Sequence, residues 1–267
     1  MRSWTPFSPP APFSFDRKSV RRYWHLLHAS DQEPMPQDLA LLDAWAHFHN
    51  GAFEHAYHTA NSLGEAGVTL ANRATCAYAE HLEPDDKFRL ELFLEVARRC
   101  DDELSRNPSD ANLHYQLAFA LGRYSQGISV AKALAQGLGS KVKHALEEAI
   151  RLQPAHAEAC IALGAFHAEV IDKVGLLIAA MTYGAKRDIS LRMFARGMEL
   201  LPRSPVGLME YALALIMLDG EPRRSEAHAL YAQAAELQPV DALDFLNIQV
   251  AKAGLPPEPD PLHRAGT

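Results

Sequence analysis

Residues 46–60, AHFHNGAFEHAYHTA, carry four histidines: His47, His49, His55 and His58. Clustered imidazoles are the usual ligands of zinc and the usual proton carriers near neutral pH. Whether these four act together depends on the elements that hold them. Asn50-Gly51 is a turn signal. Upstream, Leu41, Ala44, Trp45 and Phe48 fall at i, i+3, i+4 and i+7; downstream, Phe53, Ala56, Tyr57 and Ala60 repeat the pattern. The stretch therefore reads as an αα-hairpin with two facing apolar stripes. At about 100° per residue, His55 and His58 lie on the solvent face of the second helix. His47 and His49 fall on opposite flanks of the first stripe. No HExxH spacing is present either. The expectation is a structural hairpin with exposed or flanking histidines and no metal site.

Other residue types that could do chemistry are equally uncommitted. QGLGSKVK, residues 136–143, begins a GxGxxG, but Val142 occupies the third glycine position. It reads as a loop in which Ser140 caps the next helix. Ser140 and Lys143 form an SxxK without the companion SDN and KTG motifs. The carboxylate pairs Asp85-Asp86, Asp101-Asp102 and Glu147-Glu148 are neighbours in sequence and diverge on a helix. Three cysteines, Cys76, Cys100 and Cys160, form no CxxC. Nothing specifies a reaction, so the chain is not expected to be an enzyme or to hold a cofactor.

The elements behind these residues are helical. Alanine and leucine abound, and prolines stand at the edges of periodic segments. A net charge of −7 argues against nucleic acid as a partner. The N-terminus has no continuous apolar core of a secretory signal, and the longest apolar run, VGLLIAAMTYGA at 174–185, is too short to span a bilayer. These features suggest a cytoplasmic chain without membrane contact. Residues 1–15 and 255–267 are proline-rich and are expected to be disordered, flanking a helical domain over 16–254. The first helix places Val20, Tyr23, Trp24 and Leu27 on one stripe and Arg17, Lys18, Arg21, Arg22 and His25 opposite. It reads as a capping helix.

Four helical segments end at Pro108, Pro154, Pro202 and Pro239, spaced by 46, 48 and 37 residues, and a new helix follows each. Ser204-Pro205 is a cap-then-start signal. The clearest unit is SKVKHALEEAIRLQPAHAEACIALGAFH. Small residues recur at Ala149, Gly197 and Ala234, large ones at Leu146, Phe194 and Tyr231, and Leu163-Gly164 opens the following helix. This pattern resembles the tetratricopeptide repeat, an antiparallel helix pair. The Pro108 unit departs from it, with Glu103 at the small position. Inserts at 122–140 and 172–188 separate paired helices. That layout is similar to the helical domain of the regulator of microtubule dynamics proteins, and to the tetratricopeptide-like T component of some bacterial periplasmic transporters.

The resemblance implies an all-α right-handed α-α superhelix of about five helix pairs. In such a solenoid the first helix of each pair lines a concave face. That geometry would place there Asn112, Tyr115, Phe119 and Arg123; then Glu158, Ile161, Ala165 and Glu169; then Val206, Met209 and Leu213. The function implied is a protein-interaction scaffold that holds a protein or peptide partner and could also self-associate. Two alternatives accompany it. One is a small-molecule or lipid carrier using the insert at 174–185, an insert otherwise expected to pack against the solenoid. The other is a peripheral membrane adaptor using the basic first helix.

Overall fold

Each helix begins and ends where local chemistry dictates. The computed structural model describes residues 3–9 and 13–254 of the 267-residue chain. Among them run α1 (Arg17–Leu27), α2 (Leu39–His49), α3 (Phe53–Ser62), α4 (Val68–His81), α5 (Asp86–Leu104), α6 (Ala111–Gln126) and α7 (Val130–Ala135). They continue with α8 (Leu138–Leu152), α9 (Ala157–Val174), α10 (Leu176–Tyr183), α11 (Arg187–Leu200), α12 (Pro205–Asp219), α13 (Arg224–Glu236) and α14 (Ala242–Gly254). Asp16, Asp38, Asp85, Asp110, Ser129 and Ser204 each accept a first-turn amide through the side chain, which satisfies donors that a helix start leaves orphaned. Ser204 starts α12 as its sequence suggests, with its Oγ 2.9 Å from the Gly207 amide. Ser140 does not cap α8: Gly137 adopts the left-handed φ of +64°, and the helix begins at Leu138, ahead of that serine.

Five antiparallel pairs stack in order: α2 with α3, α4 with α5, α6 with α8, α9 with α11, and α12 with α13. The small helices α7 and α10 interrupt the third and fourth pairs. Pro108, Pro154, Pro202 and Pro239 all lie in the turns that lead from one pair to the next helix. Small residues set the close approach. Ala149 and Ala234 are fully buried. A Cβ on Gly164 would stand 2.8 Å from the Phe194 ring, and one on Gly197 2.6 Å from the Ile161 side chain. Glu103, at the odd small position, is buried against its ion-pair partner Arg106.

The proline-rich N-terminal segment places aromatic side chains on the helices. Trp4 is buried and stacks on Tyr78 at 4.4 Å, Phe7 lies 6.3 Å from Phe53, and the Phe15 amide bonds Asn50. Aromatic burial thus sets Trp4, Phe7, Phe13 and Phe15 against the helical body while Ser3, Thr5, Pro6, Ser8 and Ser14 stay exposed. Residues 255–267, expected to be disordered, lie outside the described residues. At the other end α14 folds back on α2. His49 Nδ1 and Asp241 Oδ2 are 2.7 Å apart, and Phe245 lies 6.0 Å from Phe7. Gly51, at φ +86°, is the pivot of this closure: a Cβ there would sit 2.5 Å from the Phe7 ring and 3.1 Å from Ala242.

Candidate partner-binding face

Helices α4, α6, α9 and α12 each open a helix pair. On α6 one stripe is Asn112, Tyr115, Phe119 and Arg123, and these side chains meet two different environments.

The first is closed by the chain itself. Residues 28–33, just after α1, lie across α4, α6 and α9. The Glu158 amide donates to the Ser30 carbonyl at 3.1 Å, Asn112 Nδ2 donates to Glu33 at 2.5 Å, and Trp24 Nε1 donates to the Glu33 carbonyl at 2.7 Å. Arg73 of α4 stands between Asp31 at 3.1 Å and Glu158, which it grips with two bonds at 2.9 and 3.1 Å. His28 lies 3.0 Å from Asp31, and the Tyr115 ring 4.8 Å from His156. Gln32 takes a left-handed φ of +54°, uncommon for a residue with a Cβ, which turns the chain between Asp31 and Glu33. Burial alone would push the Asp31 carboxyl up, but the His28 ring and the Arg73 guanidinium hold it well below the usual range. For Glu33, burial and the charges of Asp31 and Asp110 outweigh the Asn112 bond and the Arg73 charge, and push it up to about 8. Burial likewise pushes the Tyr115 hydroxyl well up.

The second environment is open. Arg123 lies over the Phe119 ring at 5.2 Å and pairs with Glu80 of α4 at 3.1 Å and Glu210 of α12 at 3.4 Å. Glu169 of α9 accepts from Gln126 at 3.1 Å and pairs with Lys173. Leu213 and Ile216 of α12 are exposed beside them. Ala165 and Val206 are half-buried. Ile161 and Met209, expected on the concave face, are buried instead: Ile161 fills the space left by Gly197 and Gly207, and Met209 joins the core of α12 to α14.

Sequence reasoning missed Asp31, Glu33, Arg73, Glu80, Glu210 and Asp241. Only Arg73 left a trace, as the one charged residue between Val68 and Ala79. The histidines also diverge from helical-wheel expectation. His55 and His58 are exposed, but His47 meets His55 across the hairpin at 4.1 Å between ring centres. His49 is wholly buried against Asp241, and burial lowers its proton affinity. Among the described residues no three metal-ligating side chains converge. All three thiols are buried and pushed up, Cys76 to about 12, which keeps them from acting as thiolates.

Stacked helix pairs with small residues at the crossings define a tetratricopeptide-like α-α superhelix, an architecture whose curvature creates extended concave surfaces. The chain is similar to a thermophilic tetratricopeptide-repeat protein of Thermus thermophilus, with 16% identity and a TM-score of 0.53 over 80% of this chain and 97% of that one. That likeness concerns the fold alone. No curated protein matches the chain. Residues 45–185, just over half of the chain, match the family of regulator of microtubule dynamics protein 1-3, and the chain belongs to that family. The match runs from within α2 to just past α10 and takes in the 122–140 insert and most of the 172–188 insert.

Proposed function

We propose that the chain is a non-enzymatic, cytoplasmic adaptor that seats a segment of a partner protein at the open half of its concave face. The observation that carries this reading is the rim around Arg123: a half-buried guanidinium between Glu80 and Glu210, with Glu169 and the exposed Leu213 alongside. Glu80, Glu169 and Glu210 outnumber Arg123 and Lys173, so the rim suits a segment with basic and apolar side chains. Asn112 and Glu158 support the face from behind, because the chain's own 28–33 segment already occupies them, and Tyr115 lies against His156 beside them. The family's description as regulators of microtubule dynamics makes microtubule proteins the first partners to offer. Two other readings draw less support. The α1 stripe is used in packing on the body, with Val20 and Trp24 buried, and α10 leaves Leu176, Leu177, Ile178 and Met181 exposed.

A photo-crosslinking amino acid at position 213, compared with one at the exposed Glu199 of α11, tests the proposal. An adduct at 213 alone, weakened about tenfold or more by Glu169→Lys, is the expected result. Equal adducts at both positions, or capture indifferent to Glu169→Lys, would sink it.

A further inference from the structure

The insert helix α10 is an unpartnered apolar element. Its anchors are Ala179, which is fully buried, and Tyr183, whose ring lies 6.4 Å from Phe166 and against Gly139. The remaining apolar side chains face solvent: Leu177 is 73% exposed and Met181 79%, with Leu176 and Ile178 beside them. Gly175 and Gly184, both at positive φ, set the turns that bring the helix out of line with α9 and α11. The other insert stands on the same edge of the solenoid, since both join the first to the second helix of adjacent pairs, and Gly139 of α8 touches Tyr183. It adds Val130 and Leu134 of α7, each about half exposed. Isolated exposed leucines are ordinary, but a contiguous apolar patch of this kind marks a surface that meets something.

Charge identifies what it meets. Residues 127–143 contain Lys132, Lys141 and Lys143 and no acid; residues 173–187 contain Lys173, Lys186 and Arg187 and no acid. Lys143, Lys173 and Arg187 are paired with Glu147, Glu169 and Asp219, and Asp172 and Asp188 bound the second insert. Among the described residues this leaves Lys132, Lys141 and Lys186 as the exposed cations without an ion pair on this edge, in a chain of net charge −7. Two copies joined by this edge would bring like charges together. An anionic bilayer surface matches both properties, because apolar side chains enter the boundary between headgroups and acyl chains while the surrounding lysines meet lipid phosphates. No described helix is long and apolar enough to cross a membrane, so the contact would be interfacial.

We infer that the α7–α10 edge docks the protein onto anionic lipid bilayers, with Leu176, Leu177, Ile178 and Met181 inserting at the interface. The site is separate from the partner-binding rim and does not depend on it.

Sedimentation of the full chain with vesicles tests this. Wild type is expected to pellet with vesicles of equal parts phosphatidylcholine and phosphatidylserine, less with phosphatidylcholine alone, and less as salt rises. Leu177→Asp with Met181→Asp should lower partitioning about tenfold or more, while circular dichroism and Tm stay at wild-type values, because both side chains are already in water. Lys132→Glu with Lys186→Glu should abolish the preference for the anionic vesicles. Arg17→Glu with Arg21→Glu in α1 should change nothing. The inference is overturned if wild type stays in solution with both vesicles, or if the Leu177 and Met181 changes leave binding intact. A dimer in light scattering that these two changes dissociate, without vesicle binding, would assign the edge to self-association and would also overturn it.

Discussion

At the scale of single residues, the interior is governed by charges that have left water. Arg73 is stabilised there because Asp31 and Glu158 flank it and their bonds replace its hydration. At Glu33 and Asp244 burial and neighbouring carboxylates prevail, and both respond by keeping their protons. Burial raises Glu33 from 4.5 to about 8, and burial with the Asp241 charge raises Asp244 from 3.8 to about 7. Between those limits the folded chain binds more protons than the unfolded one, so stability falls as pH rises through the window. Histidines work in the opposite sense. Burial lowers His49, His81 and His156, and takes His167 to about 4. Their contribution therefore grows from acid pH up to the ordinary value of 6.5 and then stops. Above that point the fall set by the buried carboxyls is no longer offset by these histidines. Tm should decline from about pH 6.5 to about pH 8.5, and Glu33→Gln, which keeps an oxygen for Asn112, should flatten the decline. A Glu33→Gln curve parallel to wild type would show that Glu33 does not titrate in this range.

At the scale of elements, the repeat is a rule about volume. Large residues such as Phe194 and Ile161 fit only because Gly164 and Gly197 leave room for them. Gly197→Val should therefore lower stability by about 2 kcal/mol through overpacking, whereas Glu199→Val, exposed on the same helix, should lie within about 0.5 kcal/mol of wild type. Denaturant melts with unchanged slope would measure both; equal values for the two would argue against close packing at this crossing. The positions of helix stops and small residues were legible from Pro154, Pro202, Ala149 and Gly197, since each acts within one or two turns of its own helix. The fate of α10 was not legible. An all-apolar octet looks the same whether it is buried or exposed, and the inserts' neighbours are decided by where the two interrupted pairs stack. The cap of α8 was misread for a similar reason: Gly137 in its left-handed conformation starts the helix before Ser140.

At the scale of the whole molecule, the solenoid is closed at its ends. α14 returns to α2 through His49 and Asp241, with Phe7 and Phe245 packed beside them. Removing the carboxylate leaves a buried imidazole without its partner, so Asp241→Ala should loosen this seam first. Amide exchange in α14 is expected to speed up about tenfold or more, with α8 and α9 unchanged. Uniform acceleration throughout the chain would instead mean that the seam and the repeats unfold as one unit.

The sequence by itself determined the all-helical class and the repeated helix pairs punctuated by Pro108, Pro154, Pro202 and Pro239. Periodicity, caps and prolines are local, and helical pairs stack mainly on their neighbours. It also located Leu213 and Glu169 on their helices. Only the tertiary structure decided which of those side chains a partner could reach. The Asn112–Glu33, Arg73–Glu158 and His49–Asp241 contacts join residues 79, 85 and 192 positions apart. No periodicity encodes such separations: they arise when the stack curves and brings a loop and a terminal helix into its interior. Burial then selects among the polar residues available, because a charge out of water persists only beside its complement.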